Sequence, residues 1–222
     1  MRARALPAGL VEKLVEVQRA LASKVILEDA FRKPIRRVAG LDVSFKGELA
    51  FGACVLMSYP GMEVLEISRA TSRPRLPYIP GLLAFREVPV MLKALRGLKN
   101  KPDVVLVDAQ GIAHPRRCGE ATHLGLVART PTVGVAKRVL CGRAPCWPTR
   151  PDSWAPLYHE GEPVGFIYLS KAGCRPLVVS PGHMVSLASA LEITRSCLKG
   201  HKLPEPTRLA HVEARRAAEE LS

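Results

Sequence analysis

Three acidic residues occupy positions where an isolated carboxylate is costly. Asp42 lies inside the strand-like segment VAGLDVSF, Asp108 ends the apolar run VVLVD, and Glu87 closes the segment FRE after a Pro- and Gly-rich loop. A buried acid needs a hydrogen bond, an opposite charge or a metal ion to offset the loss of water. Taken singly, each is more often a capped or ion-paired side chain. Taken together, they suit hard divalent cations, which prefer oxygen ligands.

Carboxylates that converge from different elements are what metal-assisted phosphodiester hydrolysis requires, because paired Mg²⁺ ions activate water and stabilise the leaving oxygen. The segment after VVLVD is Gly-broken and carries His114, Arg116 and Arg117. Such a loop is able to contact phosphates, although a basic surface loop is the plainer interpretation. His114, Cys118 and His123 also lie close together, but a fourth ligand for zinc is missing.

The strands that must position these residues are indicated by alternating and continuous apolar runs. Three runs joined by short turns predict an antiparallel meander over residues 37–45, 49–58 and 63–71. The run at 103–108 is typical of a strand buried on both faces of a parallel sheet. Further strands are predicted at 132–135, 164–170 and 176–180, the last two as a hairpin.

Helical periodicity predicts five helices, at 8–22, 82–98, 119–128, 183–198 and 206–218. Pro89 should delay the start of the second helix or kink it. Residues 141–158, rich in Pro, Arg and Trp, are expected to form a surface excursion. This order predicts an α/β fold with a ribonuclease-H-like mixed β-sheet, in which a three-strand antiparallel meander is joined to parallel strands and flanked by helices. We expect one domain over residues 1–222.

Composition points to a polyanionic partner. The chain has 222 residues, 47% of them hydrophobic, with a net charge of +13 and a pI of about 9.9. A balance this basic favours nucleic acid, although a solvated arginine-rich surface would give the same charge. No apolar run is long enough to span a bilayer, and the basic N-terminus is predicted to form a helix instead of a signal peptide. We therefore expect a cytoplasmic monomer, in which Cys141 and Cys146 stay reduced by default.

Six segments, in the same order as in the family, resemble endonuclease V, the deoxyinosine 3′-endonucleases. They are AGLDVSF at 39–45, PYIPGLLAFRE at 77–87, VLVDAQGIAHPRRCGEATHLG at 105–125, GVAKRVL at 134–140, VVSPGHMVSLASA at 178–190 and LPEPTRLAH at 203–211. They spread over nearly the whole chain. One departure is Ala109, where the family usually has Gly, and it puts substrate approach and base preference in doubt.

The resemblance assigns catalytic roles to five residues of this chain. It implies that Asp42, Glu87 and Asp108 bind metal, with Mg²⁺ as the expected ion and Mn²⁺ as a substitute in an all-oxygen site. It also implies that His211 lies near the metal and that Lys137 contacts phosphate. The alternatives are a histidine on a helix surface and a solvated lysine.

The resemblance also assigns substrate contacts. Tyr78, stiffened by Pro80 in PYIP, matches the tip of a wedge inserted at the lesion, although it could simply pack the loop. The flipped base is expected in a pocket built largely from backbone near Gly81, Leu83 and Gly119.

The implied reaction is cleavage of the second phosphodiester bond 3′ to deoxyinosine in DNA, leaving 3′-hydroxyl and 5′-phosphate ends. Three alternatives stay open: an endoribonuclease acting on inosine in RNA, a lesion-binding protein that does not cut, and a resolvase-like junction nuclease. The intact carboxylates disfavour the second, and the PYIPG loop disfavours the third.

Overall fold

The computed structural model describes residues 7–220, and within them eight strands form one mixed sheet with the order β3-β2-β1-β4-β5-β8-β7-β6. The strands are β1 (Arg37–Lys46), β2 (Leu49–Ser58), β3 (Val64–Ser72), β4 (Val104–Val107), β5 (Thr132–Ala136), β6 (Ser153–His159), β7 (Glu162–Leu169) and β8 (Leu177–His183). The first three form the predicted meander, and β1, β4 and β5 run parallel. The predicted α/β fold is confirmed.

Helices cover both faces of this sheet. They are α1 (Leu10–Ala22), α2 (Ala84–Arg96), α3 (Glu120–Ala128), α4 (Leu187–Ser196) and α5 (Glu205–Glu219). Leu41 and Leu56 pack with α2 and α3 on one face, whereas Val38 and Val55 pack with α4 and α5 on the other. This division follows from the alternation of side chains along a strand. No helix within residues 7–220 is long and apolar enough to cross a membrane.

The parallel strands bring the candidate residues to one edge of the sheet. The last paired residues of β1 and β4 are Leu41 and Val107, so Asp42 and Asp108 come next on adjacent strands. The amide of Asp108 donates to the carbonyl of Leu41 over 3.1 Å, which holds this alignment. Lys137 follows the end of β5, the next strand in the sheet. Carboxyl ends of parallel strands are where ligands collect in open α/β sheets.

Helix α5 lies unusually close to β1 because Gly40 has no side chain. A Cβ atom on Gly40 would lie 2.0 Å from the backbone carbonyl group of Pro206. Gly40 and Asp42 project from the same face of β1, and Thr207 and His211 are one turn apart on α5. The close approach at Gly40 therefore brings His211 over Asp42.

Two expectations about the C-terminal half were wrong. Residues 153–159 are not a surface excursion but the edge strand β6, where the side chains of Ala155 and Leu157 are buried. Pro156 is compatible with this assignment because an edge strand tolerates a missing backbone donor. The helix predicted from residue 183 begins only at Leu187, since β8 continues through Pro181, whose carbonyl accepts from Ile112.

The other helix bounds agree to within a few residues. Helix α2 begins at Ala84 and contains Pro89, so the proline is tolerated near its start. Helix α1 begins two residues later than predicted and ends where predicted. Residues 1–6 of the basic N-terminal run lie outside the described residues.

Candidate active site

A cleft of about 620 Å³ opens where β4 and β5 end, beside the middle of β1. Ten of the thirteen residues singled out in the sequence line it: Asp42, Tyr78, Gly81, Leu83, Glu87, Asp108, His114, Gly119, Lys137 and His211. Pro80, Arg116 and Arg117 are not among its lining residues. Residues from helices α1, α2, α3 and α5, from strands β1 and β5 and from the loops that follow β4 and β5 thus meet at the edge predicted from the strand order.

Asp42, Asp108 and His211 form the centre of the cleft. One potential ligand atom from each lies within 4.8 Å of the other two, and no other such group of three occurs among the described residues. His211 Nδ1 lies 2.6 Å from Asp42 Oδ2, and Lys137 Nζ lies 2.5 Å from Asp108 Oδ2. Each carboxylate thus has one cationic or protonatable partner.

Burial makes Asp42 an unusual acid. The loss of water raises the pKa of its carboxyl above the ordinary value, and the neighbouring charge of Asp108 raises it further. Hydrogen bonds from His211 and from the backbone of Val43, together with the charge of Lys137, oppose this rise. Two buried like charges at one strand edge repel each other unless one carboxyl is protonated or a cation binds between them.

Glu87 lies in the same cleft but outside the Asp42–Asp108–His211 group. It stands in the first turn of α2 and is hydrogen-bonded to Glu120 at the start of α3. Burial raises the pKa of Glu87 to about 7, and burial beside Glu87 raises the pKa of Glu120 well above its ordinary value. Oε2 of Glu120 is buried without a hydrogen-bond partner. The two carboxyl groups form a second acidic pair beside the first.

This donor set fits a hard divalent cation. Two carboxylates and an imidazole converge, and two further carboxyl groups lie beside them, one with a buried oxygen that no protein group satisfies. Oxygen-rich sites with a single imidazole suit Mg²⁺ or Mn²⁺ better than the sulfur-containing sets that zinc prefers. The candidate zinc ligands form no such group: Cys118 is buried, and His123 packs edge-on against Phe85 at 4.9 Å.

The two arginines of the basic loop after β4 make hydrogen bonds within the protein, whereas the sequence suggested contacts with phosphates. The guanidinium of Arg116 donates to the side chain of Gln18 and to the carbonyl of Gly81. Arg117 has a φ of 54° and donates to the backbone carbonyl of His159 over 3.3 Å. Both arginines are therefore engaged within the protein, and phosphate contact by either stays a prediction.

Sequence reasoning missed several lining residues: Gln18, Gln110, Glu120 and Arg138. A usable signal existed for two of them. The chain contains only two glutamines, Gln18 and Gln110, and both line the cleft. Glu120 gave no signal, since an acid at the start of a helix is common.

The fold and the cleft define the chain as a metal-dependent nuclease of the ribonuclease-H-like class. A sequence profile of the Endonuclease V family matches residues 19–212. The chain therefore belongs to the Endonuclease V family, which confirms the predictions of a DNA-repair endonuclease and a nucleic-acid partner.

Individual relatives agree with this membership. The Endonuclease V of Trichormus variabilis is 43% identical over 202 residues, covering 90% of this chain and 91% of that protein. The crystal structure of Endonuclease V from Streptomyces avermitilis has a TM-score of 0.89 at 36% identity and covers 97% of both chains. Endonuclease V (D234N) of Ciona intestinalis, solved with DNA containing an inosine followed by a ribo-adenosine, has a TM-score of 0.86 at 28% identity. That match covers 98% of this chain and 100% of the other.

Proposed function

We propose that the chain cuts DNA at deoxyinosine, the product of adenine deamination, and breaks the second phosphodiester bond 3′ to the lesion. The observation that carries this proposal is the placement of the Asp42–Asp108–His211 group and the exposed ring of Tyr78 along one cleft. The Ciona relative supports the substrate, since it was solved with inosine-containing DNA. The products would carry 3′-hydroxyl and 5′-phosphate ends.

Asp42, Asp108 and His211, with Glu87 beside them, would hold Mg²⁺, and Mn²⁺ would substitute. When bound, the ion supplies Lewis-acid stabilisation of charge on the phosphate and its leaving oxygen. Asp42 and Asp108 lie side by side at the cleft because the pairing of β1 with β4 ends at Leu41 and Val107, one residue before each acid. His211 keeps Asp42 in place through their 2.6 Å contact, and its exposed imidazole is close enough to the site to exchange protons with water.

Lys137 is the positive charge that faces the scissile phosphate in this proposal. Its ammonium group pairs with Asp108, and 45% of its side chain is exposed. An exposed lysine beside a buried acid is free to turn from the acid to a phosphate oxygen as the substrate arrives. Arg138, which also lines the cleft, would attract the backbone in the same way.

The part of the cleft lined by Tyr78, Gly81, Leu83 and Gly119 would read the base. Tyr78 is 65% exposed at the tip of the loop that ends at Gly81, and Pro80 stiffens this loop. Gly81, Leu83 and Gly119 line the cleft, and the two glycines offer only their backbone to a base there. A flipped hypoxanthine would be held between these backbone groups, while the Tyr78 ring replaces the stacking that the base has left. Ala109, in place of the usual Gly, also lines this cleft and narrows it by one methyl group.

Inosine in RNA is a second candidate substrate. The DNA bound by the Ciona relative contains an inosine followed by a ribo-adenosine, so that relative accepts a ribose next to the inosine. A direct comparison of inosine-containing DNA and RNA as substrates decides between them.

We also propose that the chain works as a single-domain monomer over residues 1–222 in the cytoplasm. One sheet uses strands from Arg37 to His183, which supports a single domain. All six cysteines are free thiols, including Cys141 and Cys146, as expected in a reducing compartment. Light scattering tests the monomer directly.

The decisive experiment uses four end-labelled oligonucleotides of one sequence. They carry deoxyinosine, deoxyadenosine, inosine or adenosine at a single central position, and cleavage in Mg²⁺ is mapped at nucleotide resolution. We expect cleavage of the second phosphodiester bond 3′ to deoxyinosine and no cleavage of the adenine controls. Equal cutting of inosine and adenine strands, or no cutting in Mg²⁺ and in a parallel reaction with Mn²⁺, would reject the proposal.

A further inference from the structure

The single buried residue of helix α1 is polar. Gln18 is 1% exposed, whereas the rest of the helix is exposed or partly buried. A buried amide is costly unless its donors and its acceptor are all used. Gln18 meets this condition with three bonds, all of them to segments remote in sequence.

The bonds of Gln18 join two walls of the cleft. Its Nε2 donates to the carbonyl of Gly81 over 3.2 Å and to the carbonyl of Cys118 over 2.6 Å. Its Oε1 accepts from Nε of Arg116 over 2.5 Å. Gly81 ends the Tyr78 loop, and Cys118 precedes Gly119 at the start of α3. One side chain therefore ties the loop that carries the wedge to the turn that faces it.

The carbonyl of Gly81 is the point on which this network converges. Besides Gln18, it accepts from Nη2 of Arg116 at 2.6 Å, and Nε2 of His114 lies 3.1 Å away. Nδ1 of His114 accepts from the backbone amide of Arg116, so the proton of the neutral ring is on Nε2 and points at Gly81. Burial and the charge of Arg116 lower the pKa of His114 to about 4, which keeps the ring neutral near pH 7.

Gly81 cannot easily move or be replaced. Its φ of 76° favours glycine, and a Cβ atom there would lie 2.8 Å from Nη2 of Arg116. Two residues later the chain reaches Leu83, and α2 with Glu87 begins directly afterwards. The position of Gly81 therefore sets the Tyr78 ring on one side and a candidate metal ligand on the other.

We propose that Gln18 is a positioning residue that fixes the distance between the Gly81 wall and the Cys118–Gly119 wall of the cleft, and thereby the discrimination between hypoxanthine and adenine. The second half of this inference rests on the proposed function. Gln18 itself is bonded to backbone and to Arg116, so it acts through the two walls and not on the base. Arg116 belongs to the same network, which gives it a role other than phosphate binding.

The test compares Gln18→Leu and Gln18→Glu with Leu21→Ala. The leucine removes every bond at similar size, and the glutamate keeps the acceptor for Arg116 but loses both amide donors. Leu21→Ala loosens the packing of the same helix at a partly buried position without touching the network. If Leu21→Ala and a Gln18 variant have the same melting temperature, any difference between them in the two readouts below does not come from a general loss of stability.

Two readouts decide the role of Gln18. We expect both Gln18 variants to lose about tenfold or more in the inosine-over-adenine ratio of kcat/KM, because each lacks at least two of the three hydrogen bonds, while Leu21→Ala keeps the wild-type ratio. Hydrogen–deuterium exchange of residues 77–83 in the free protein should quicken in the Gln18 variants only. Unchanged exchange in both Gln18 variants, or equal loss of the ratio in Leu21→Ala, would overturn the proposal. If the wild-type protein itself showed no preference for inosine, the proposed function would be rejected. Hydrogen–deuterium exchange would still decide whether Gln18 fixes the two walls of the cleft.

Discussion

Nδ1 of His211 lies 2.6 Å from Oδ2 of Asp42, although the two residues are 169 positions apart in the chain. The contact joins the last helix to the first strand, and it completes the group of possible metal ligands with Asp108. It depends on the close approach of α5 to β1 at Gly40. The local backbone at one glycine therefore controls the geometry of the candidate metal site.

Gly40→Ala should disturb this site from a distance. Its Cβ would overlap the backbone of Pro206, so α5 must shift, at a cost of about 1–3 kcal/mol in the free energy of unfolding. The shift should also weaken Mn²⁺ binding, measured by calorimetric titration of the free protein. Gly52→Ala is the control, because its Cβ would lie 3.0 Å from Val90 in α2, away from α5. Equal Mn²⁺ affinity in the two variants would contradict the role of α5.

The raised pKa of Glu87 predicts how pH and metal act together. A carboxyl whose pKa rises from about 4.3 unfolded to about 7 folded favours folding while protonated, so its contribution to stability is lost as pH increases between these values. Mg²⁺ binds the deprotonated form and must displace the proton at low pH. The increase in melting temperature caused by Mg²⁺ should therefore be larger at pH 8 than at pH 5.5.

Glu87→Gln isolates this contribution from other titrating groups. Without Mg²⁺, the melting temperature of the variant should fall less than that of the wild type between pH 5 and pH 8. With Mg²⁺, the variant should gain little at either pH. Parallel pH profiles for the two proteins would show that Glu87 ionises normally.

Lys137→Ala should separate catalysis from metal binding. Removing the ammonium group takes away the positive charge that faces the phosphate. It also removes the ion pair in which Lys137 competes with the metal ion for Asp108. We expect cleavage to fall by about a hundredfold to a thousandfold, the range for one lost electrostatic donor, with Mn²⁺ affinity unchanged or higher. Lys101→Ala, at the opposite end of β4, removes the same charge as a control. A parallel fall in metal affinity would assign Lys137 a structural role instead.

Tyr78→Ala tests the wedge. If the ring fills the space left by the flipped base, its loss removes about 1–3 kcal/mol of stacking and lowers the inosine-over-adenine cleavage ratio by about tenfold to a hundredfold. Tyr78→Phe should keep most of the preference, because the ring remains. A ring that only packs the loop would instead lower the melting temperature and leave the ratio unchanged.

The sequence predicted the site residues on and next to the strands better than those that long-range packing brings to the cleft. Asp42 and Asp108 were accessible because apolar runs locate the strands and parallel strands align their ends. His211 and Lys137 came from the resemblance alone, since the contact of α5 with Gly40 is a long-range packing event. Strand β6 was missed because Pro156 and the surrounding arginines resemble a loop. The bonds of Gln18 span 63 and 100 positions, and no local pattern reports such separations.

In the proposed function, Asp108 binds the metal ion that cleavage of inosine DNA requires. The rest of the cleft recognises the lesion. The most direct test of this role measures binding and cleavage of one deoxyinosine duplex by the wild type, Asp108→Ala and Glu162→Ala, an exposed acid of β7 outside the cleft. Removing a ligand and a negative charge near phosphate predicts no cleavage by Asp108→Ala in Mg²⁺, with binding equal to or tighter than that of the wild type. Glu162→Ala should cut normally. Full cleavage by Asp108→Ala, or loss of its binding together with cleavage while the protein stays folded, would contradict the account.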